Sequence, residues 1–204
     1  NICSKVIDMI YLNDKDLLQS GIDWTRTIER IEAVVKCVHT GAYMQPLKPY
    51  LKFGSAPNRI IAMPAYVGGP FRLAGLKWIA SFPGNIDIGL PRAHSITVLN
   101  DADSGRPYVL FHSALLSVVR TASVSGLMLE RFIQRQPERT WKVGIIGFGP
   151  IGRYHAQMCA HVLGNRLDRI SLYDVRGIDP TNVDRSSVTG ANHQVEIEVR
   201  SSWR

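Results

Sequence analysis

The sequence is short of cysteine, of long apolar runs and of metal-ligand spacings, and each shortage removes a class of function. Three cysteines, Cys3, Cys37 and Cys159, are scattered over 204 residues. They form no CxxC pair and no ligand cluster, so the thiols read as reduced and the expected location is the cytoplasm. The six histidines show no HxxxH or similar spacing, so no metal is expected. No apolar run reaches the roughly 20 residues of a membrane span. Asp8, Asp14 and Asp16 interrupt any signal-peptide core. Acid is also in short supply, with 17 Asp and Glu against 24 Lys and Arg and a net charge of +7. A basic balance can serve nucleic acid, but here the cations are scattered, with no stripe of interleaved aromatics. Anionic small molecules, a dinucleotide and carboxylate substrates, account for the charge, and no nucleic-acid or membrane partner is expected.

What the chain does have is a patterned stretch from Trp141 to Asp174. The apolar, β-branched run Val143 to Ile146 has the character of a buried strand. It leads into Gly147-x-Gly149-x-x-Gly152, a helix-like segment, and a second strand, Ile170 to Tyr173, that ends in Asp174. Gly147 allows the tight turn out of the strand, Gly149 lets a pyrophosphate approach the backbone, and Gly152 lets the helix pack closely. The helix N-terminus offers unpaired N–H groups and a positive dipole end to phosphates. Asp174 stands where a carboxylate can accept both ribose hydroxyls of an adenosine. The expected cofactor is NAD. A 2′-phosphate would meet a like charge at Asp174, although Arg176 softens that preference.

The rest of the chain reads as follows. A short strand over residues 6 to 12 precedes a brief helix capped by Asn13 or Asp14, and an amphipathic helix runs from Trp24 to His39. Pro46 and Pro49 make residues 45 to 53 an extended sheet edge. Strands are expected at 59–67, 73–82, 95–99 and 107–111, with a Pro/Gly-rich loop over 83–92, and a long helix at 114–134. The polar stretch 134–139 makes a natural boundary. The predicted fold class is α/β: a mixed-sheet domain at 1–135, then a Rossmann dinucleotide-binding domain at 136–204. One more strand-like alternation, 194 to 199, follows Asp174, fewer strands than such a domain usually has. The second domain is therefore expected to be incomplete.

Several segments, taken in order, carry a resemblance: Gln45 to Lys52, Arg59 to Pro64, Gly75 to Ile79, Val98 to Asp101, Arg120-Thr121-Ala122 and the Gly147 turn. Together they resemble the ornithine cyclodeaminase/μ-crystallin family over about residues 6 to 176. The first and third segments are most similar to the branch that makes 2,3-diaminopropionate for siderophores. The resemblance implies a substrate-binding and dimerising domain, an NAD-binding Rossmann domain and a homodimer. It implies oxidative hydrolysis of N-(2-amino-2-carboxyethyl)-L-glutamate: hydride passes to NAD and the imine is hydrolysed to 2-oxoglutarate and 2,3-diaminopropionate. An ornithine cyclodeaminase-type enzyme and a non-catalytic NAD-binding protein are the alternatives.

Roles follow residue by residue from the same resemblance. Lys77 matches the lysine that binds a substrate carboxylate and assists proton transfer at the imine carbon. Its alternative is a solvent-facing strand residue. Arg120 matches an arginine that contacts substrate carboxylate and cofactor, with a structural ion pair as the alternative. Lys52 falls where relatives usually place a carboxylate-holding arginine; lysine is a point donor and cannot make the fork. Arg92 can reach a carboxylate or the cofactor, or be a solvated loop charge. A substrate with several carboxylates suits these four cations better than ornithine does. Gly147, Gly149, Pro150, Ile151 and Gly152 would hold the pyrophosphate, Ile151 rather than Pro150 donating, and Thr121 could add a hydroxyl. His94, His112 and His155 read as packed or surface histidines. The resemblance places the family's catalytic aspartate in the part of relatives that follows residue 204; Asp184 and Glu196 are in no matching motif.

Overall fold

The computed structural model describes residues 9–54, 57–185, 188 and 195–203. The chain divides into two compact units, Asn1–Gly21 with Ala33–Leu116 and Ile22–Glu32 with Ser117–Arg204.

The first unit is a sheet. It holds β1 (Ile10–Asn13), α1 (Asp14–Gln19), the second half of α2 (Trp24–His39), β2 (Tyr43–Met44), β3 (Tyr50–Lys52), β4 (Arg59–Val67), β5 (Leu73–Ser81), β6 (Ala93–Asp101) and β7 (Pro107–His112). The strand order is β1-β7-β6-β5-β4-β2, with β3 also on β4. β4 to β7 form an antiparallel meander and β1 joins β7 in parallel, which makes the expected mixed sheet. Asn13 ends β1 and starts α1 through a capping box: its side chain accepts from the Lys15 and Asp16 amides while Asp16 accepts from the Asn13 amide. Residues 6 to 8 of the expected first strand lie outside the described residues. The Pro/Gly loop after β5 contains a 3₁₀ turn, Pro83–Ile88, where sequence had given only irregular chain.

Pro64 sits inside β4, where a proline is expected to break the ladder. Its position removes the conflict. The Ala62 amide donates toward the β3 side, to Pro49 O, so the missing N–H of Pro64, two residues on, points the same way. There β3 pairs only as far as Ile61 and β2 begins at Tyr66. The proline therefore fills a gap between two short partners.

The second unit holds the first half of α2, α3 (Leu115–Ile133, from Ser117), β8 (Trp141–Ile146), α4 (Pro150–Leu163), β9 (Leu167–Tyr173) and β10 (Glu196–Val199). Its three strands are parallel in the order β10-β9-β8, the arrangement of one half of a doubly wound sheet. One sheet face carries Ile170 and Leu172, both fully buried, and packs with Ala156, Ala160, Leu163 and Ile133. The opposite face is polar: Arg169 pairs with Glu196 and Glu198, and Ser171 donates to Glu198. Trp24, Ile28, Ala122 and Met158 form a second cluster among α2, α3 and α4. The boundary anticipated at 135/136 falls just past the end of α3, whereas packing divides the chain at Leu116/Ser117, because α3 buries Ala122, Ser123, Gly126 and Ile133.

Candidate active site

The glycine turn joins β8 to α4. Gly147 adopts φ +94, a conformation that side chains disfavour. A Cβ on Gly149 would meet nothing within 4 Å, so the backbone there is open to a ligand. A Cβ on Gly152 would lie 2.0 Å from the Gly147 carbonyl oxygen. What forbids a side chain at Gly152 is therefore first the turn itself, and only then the Ile145 side chain of the sheet at 3.5 Å. Helix α4 starts at Pro150 with Gly149 as its N-cap and has no side-chain cap. Its first amides are left available to an anion, Ile151 among them, while Pro150 has none to give.

Asp174 closes the turn. Its carboxylate accepts from the Phe148 amide at 2.7 Å and from the Arg176 amide at 3.0 Å. These two bonds, Arg176 first and Phe148 second, hold its carboxyl below the ordinary aspartate value of 3.8. The link from Asp174 back to Phe148 was not legible in the sequence. Each carboxylate oxygen retains a further lone pair, so ribose hydroxyls can still be accepted. These features together fit a dinucleotide: an open Gly149, an uncapped helix and an acid at the end of the second strand.

Arg120 lies exposed on α3, and among the described residues its side chain has no hydrogen bond or ion pair. Thr121 is half-buried and its hydroxyl donates to the Ser117 carbonyl at 2.6 Å. It can therefore accept a bond but does not offer its proton to a phosphate. His155 is also occupied: Nδ1 lies 2.8 Å from the Ile151 carbonyl and Nε2 3.0 Å from Ser125 Oγ. It fastens α4 to α3 within the unit. His112 bonds the Tyr11 hydroxyl at 3.0 Å.

In the first unit, β4, β5 and β6 carry the other predicted residues. Lys77 is half-buried on β5, directly between Met63 and Thr97. On that face a cavity of about 310 Å³ reaches from Lys77 and Met63 to Val34 of α2. Lys52 ends β3 and stands directly opposite Arg59, which is opposite Ser81, which is opposite Ala93. Arg92 is next to Ala93, and its carbonyl accepts from the Phe82 amide at 2.9 Å. Lys52, Arg59 and Arg92 thus gather at one end of the sheet. Directly opposed and second-neighbour residues in antiparallel strands share a face, so Lys52, Arg59, Ser81, Ser95 and Lys77 all lie on one side. Buried Nε of Arg59 and Oγ of Ser95 have no hydrogen-bond partner. Sequence reading gave neither a role, because their neighbours across the sheet are set by strand register and not by local pattern.

Among the described residues no cluster of His, Cys, Asp and Glu could hold a metal ion, and no helix is long and apolar enough to cross a membrane. Residues 17–204 match the model of the ornithine cyclodeaminase/mu-crystallin family. Over 175 residues the chain is 31% identical to N-((2S)-2-amino-2-carboxyethyl)-L-glutamate dehydrogenase of Staphylococcus aureus, covering 82% of this chain and 50% of that protein. Alanine dehydrogenase of Archaeoglobus fulgidus is 28% identical, covering 78% of this chain and 46% of that protein. Among solved structures, Thermococcus litoralis Δ1-pyrroline-2-carboxylate reductase in complex with NADH and L-proline aligns with a TM-score of 0.78 at 23% identity. The alignment covers 96% of this chain and 58% of that one. An archaeal alanine dehydrogenase dimer with bound NAD aligns with a TM-score of 0.75 at 23% identity, covering 94% and 56%. The chain spans about half the length of the curated relatives it matches.

Proposed function

The chain belongs to the ornithine cyclodeaminase/mu-crystallin family, and from that premise we propose that it is the NAD-binding and substrate-binding part of an amino-acid dehydrogenase. The observation that carries the reading is the Gly147–Gly152 turn, open at Gly149 and tied shut by Asp174. Gly147, Gly149, Ile151 and Gly152 take the pyrophosphate, with Pro150 shaping the helix start and Asp174 taking the ribose. Bound NAD supplies the hydride acceptor. The proposed substrate is N-(2-amino-2-carboxyethyl)-L-glutamate, in siderophore biosynthesis, supported by the 31% identity to the Staphylococcus aureus enzyme. The cations Lys52, Lys77 and Arg92 of the first unit suit its carboxylates, and the role proposed for Arg120, toward substrate carboxylate and cofactor, rests on the family resemblance. Substrate, NAD and water give 2-oxoglutarate, 2,3-diaminopropionate, NADH and a proton. Lys77 binds a carboxylate and manages the proton at the imine carbon. We assign the protein to the cytoplasm, on the reading of its cysteines as reduced, and to a homodimer, as in the archaeal alanine dehydrogenase structure.

The test is NADH formation by absorbance with the glutamate adduct, ornithine as comparison and Lys77→Ala as control, alongside calorimetric NAD binding. Turnover with the adduct alone, absent in the variant, is the expected result. NAD binding without turnover leaves a cofactor-binding portion and removes the activity from the 204-residue chain. Absence of NAD binding would overturn the reading of the turn.

A further inference from the structure

We propose that Arg59, to which the sequence assigned no role, forms with Lys52 a paired cation subsite for the distal carboxylate of the substrate. The proposal deepens the dehydrogenase reading and rests on it only for the ligand's identity.

The register is the first observation. Lys52 and Arg59 are directly opposite in antiparallel strands, which places their Cβ atoms about 5 Å apart on one face. Like charges in that relation repel unless an anion lies between them. Among the described residues neither side chain has an acidic partner or a hydrogen bond. The second observation is independent of the first. Two polar atoms on this face, Arg59 Nε and Ser95 Oγ, are buried without a partner, and Ser95 is only 3% exposed. Buried groups of this kind are normally satisfied. An oxyanion between Lys52 and Arg59 would relieve the repulsion and take the Arg59 donor, while Ser95, two strands away on the same face, is left for another polar group of the same ligand.

The chemistry of the pair fits a carboxylate. Lys52 alone offers a point charge, whereas the Arg59 guanidinium supplies the fork that a carboxylate accepts from in two places. The position fits a distal group. Arg59 is four residues along β4 from Met63, the neighbour of Lys77, about 14 Å between backbones. Ser95 lies between, opposite Ile79, two residues from both Lys77 and Ser81. A substrate held at Lys77 by one carboxylate and reaching along the sheet meets Ser95 and then the cation pair. Two cations repel the side-chain ammonium of ornithine, so the subsite selects for an amino acid with a second acidic end.

Glutarate, a plain five-carbon dicarboxylate, is the probe, with butyrate as the single-carboxylate comparison. Binding to the 204-residue chain is followed by calorimetry for wild type, Arg59→Gln and Arg59→Lys, together with melting temperature in the absence of ligand. We expect glutarate to bind wild type more tightly than butyrate does, to weaken about tenfold or more in Arg59→Gln, and to be partly restored in Arg59→Lys. Without ligand, Arg59→Gln should melt no lower than wild type, since it relieves the repulsion. Equal glutarate binding by wild type and Arg59→Gln would overturn the proposal. So would the lack of any preference for glutarate over butyrate, or a lowered melting temperature in both variants, which marks a structural arginine. Arg59-dependent glutarate binding by a protein that never reduces NAD upholds the subsite and removes the dehydrogenase reading. Turnover of the glutamate adduct with unchanged KM in Arg59→Gln does the reverse.

Discussion

The carboxylate of Asp174 has two partners before any ligand arrives, the amides of Phe148 and Arg176. It therefore shapes the glycine turn as well as offering lone pairs to a ribose. Asp174→Asn keeps the size but can accept with only one oxygen, and its NH₂ faces a backbone N–H. Bonds to a charged group are worth about 1.5–3 kcal/mol, so NAD affinity should fall by about tenfold to a hundredfold in a calorimetric titration. The pH dependence has a defined sign. The folded carboxyl lies below its ordinary value of 3.8, so the latch is fully present above that value and is lost as pH falls through the depressed one. Asp174's contribution to NAD binding should thus stay flat through neutral pH and disappear only in acid. Unchanged NAD affinity in Asp174→Asn would show the latch to be dispensable. At this scale the sequence was most legible where a residue type has one physical use. Gly147, Gly149, Gly152 and Asp174 were each singled out by spacing, and they stand at the turn and just past the end of the second strand. Arg59 and Ser95 were given no role, since an arginine and a serine on a strand acquire meaning only from their cross-strand neighbours. Cys159 was read only as a reduced thiol; it is free and buried, and burial raises its pKa to about 11, away from a reactive thiolate.

Among the elements, helix α3 makes the most demanding contact. Ala122, Ser123 and Gly126 are buried on it, small residues that let a neighbour approach. A Cβ added at Gly126 would come within 2.7 Å of Ile28 Cδ1 and 3.0 Å of Met158 Sδ. Both are ends of flexible side chains, so alanine would be partly accommodated and would also gain about 1 kcal/mol of helix propensity. Valine adds two further carbons to the same space and gives back that propensity. Gly126→Val should cost about 2–3 kcal/mol as overpacking, read as a lowered urea midpoint. Gly126→Ala should stay within about 1 kcal/mol of wild type. Equal effects of the two would mean that the α2–α3–α4 cluster has room to spare. The helix itself was legible from its apolar periodicity to within a residue or two. Its membership of the second unit was not, because periodicity gives the width of an apolar stripe and not its partner. Strand ends were read short for a related reason: β6 and β8 extend through His94, Asp101, Trp141 and Lys142, where the ladder continues past the apolar run.

At the scale of the whole molecule the two units differ in how much core they own. Both buried apolar clusters are built from the second unit. In the first, only Cys37 and Val109 are buried hydrophobics among the described residues. Its sheet leaves Trp78 and Ile96, directly opposite one another, and Tyr66 on one face with 37%, 39% and 38% exposure. A nine-residue strand such as β4 is about 30 Å long, and four strands are about 19 Å wide. The flat area of this face is therefore about 600 Å² before side-chain relief, close to the roughly 800 Å² that each partner contributes to a stable interface. A face so apolar and so large is an interaction surface more readily than a solvated one. The homodimer proposed above supplies a natural cover, the same face of a second copy. Light scattering after gel filtration should give twice the mass of the 22.8 kDa chain. Trp78→Lys with Ile96→Lys should place four like charges in a self-complementary interface and shift the protein to monomer, with a lower melting temperature only at concentrations where wild type is dimeric. A wild type that runs as a monomer at every concentration would refute the cover. A dimer unmoved by the double substitution would place the contact elsewhere on the chain.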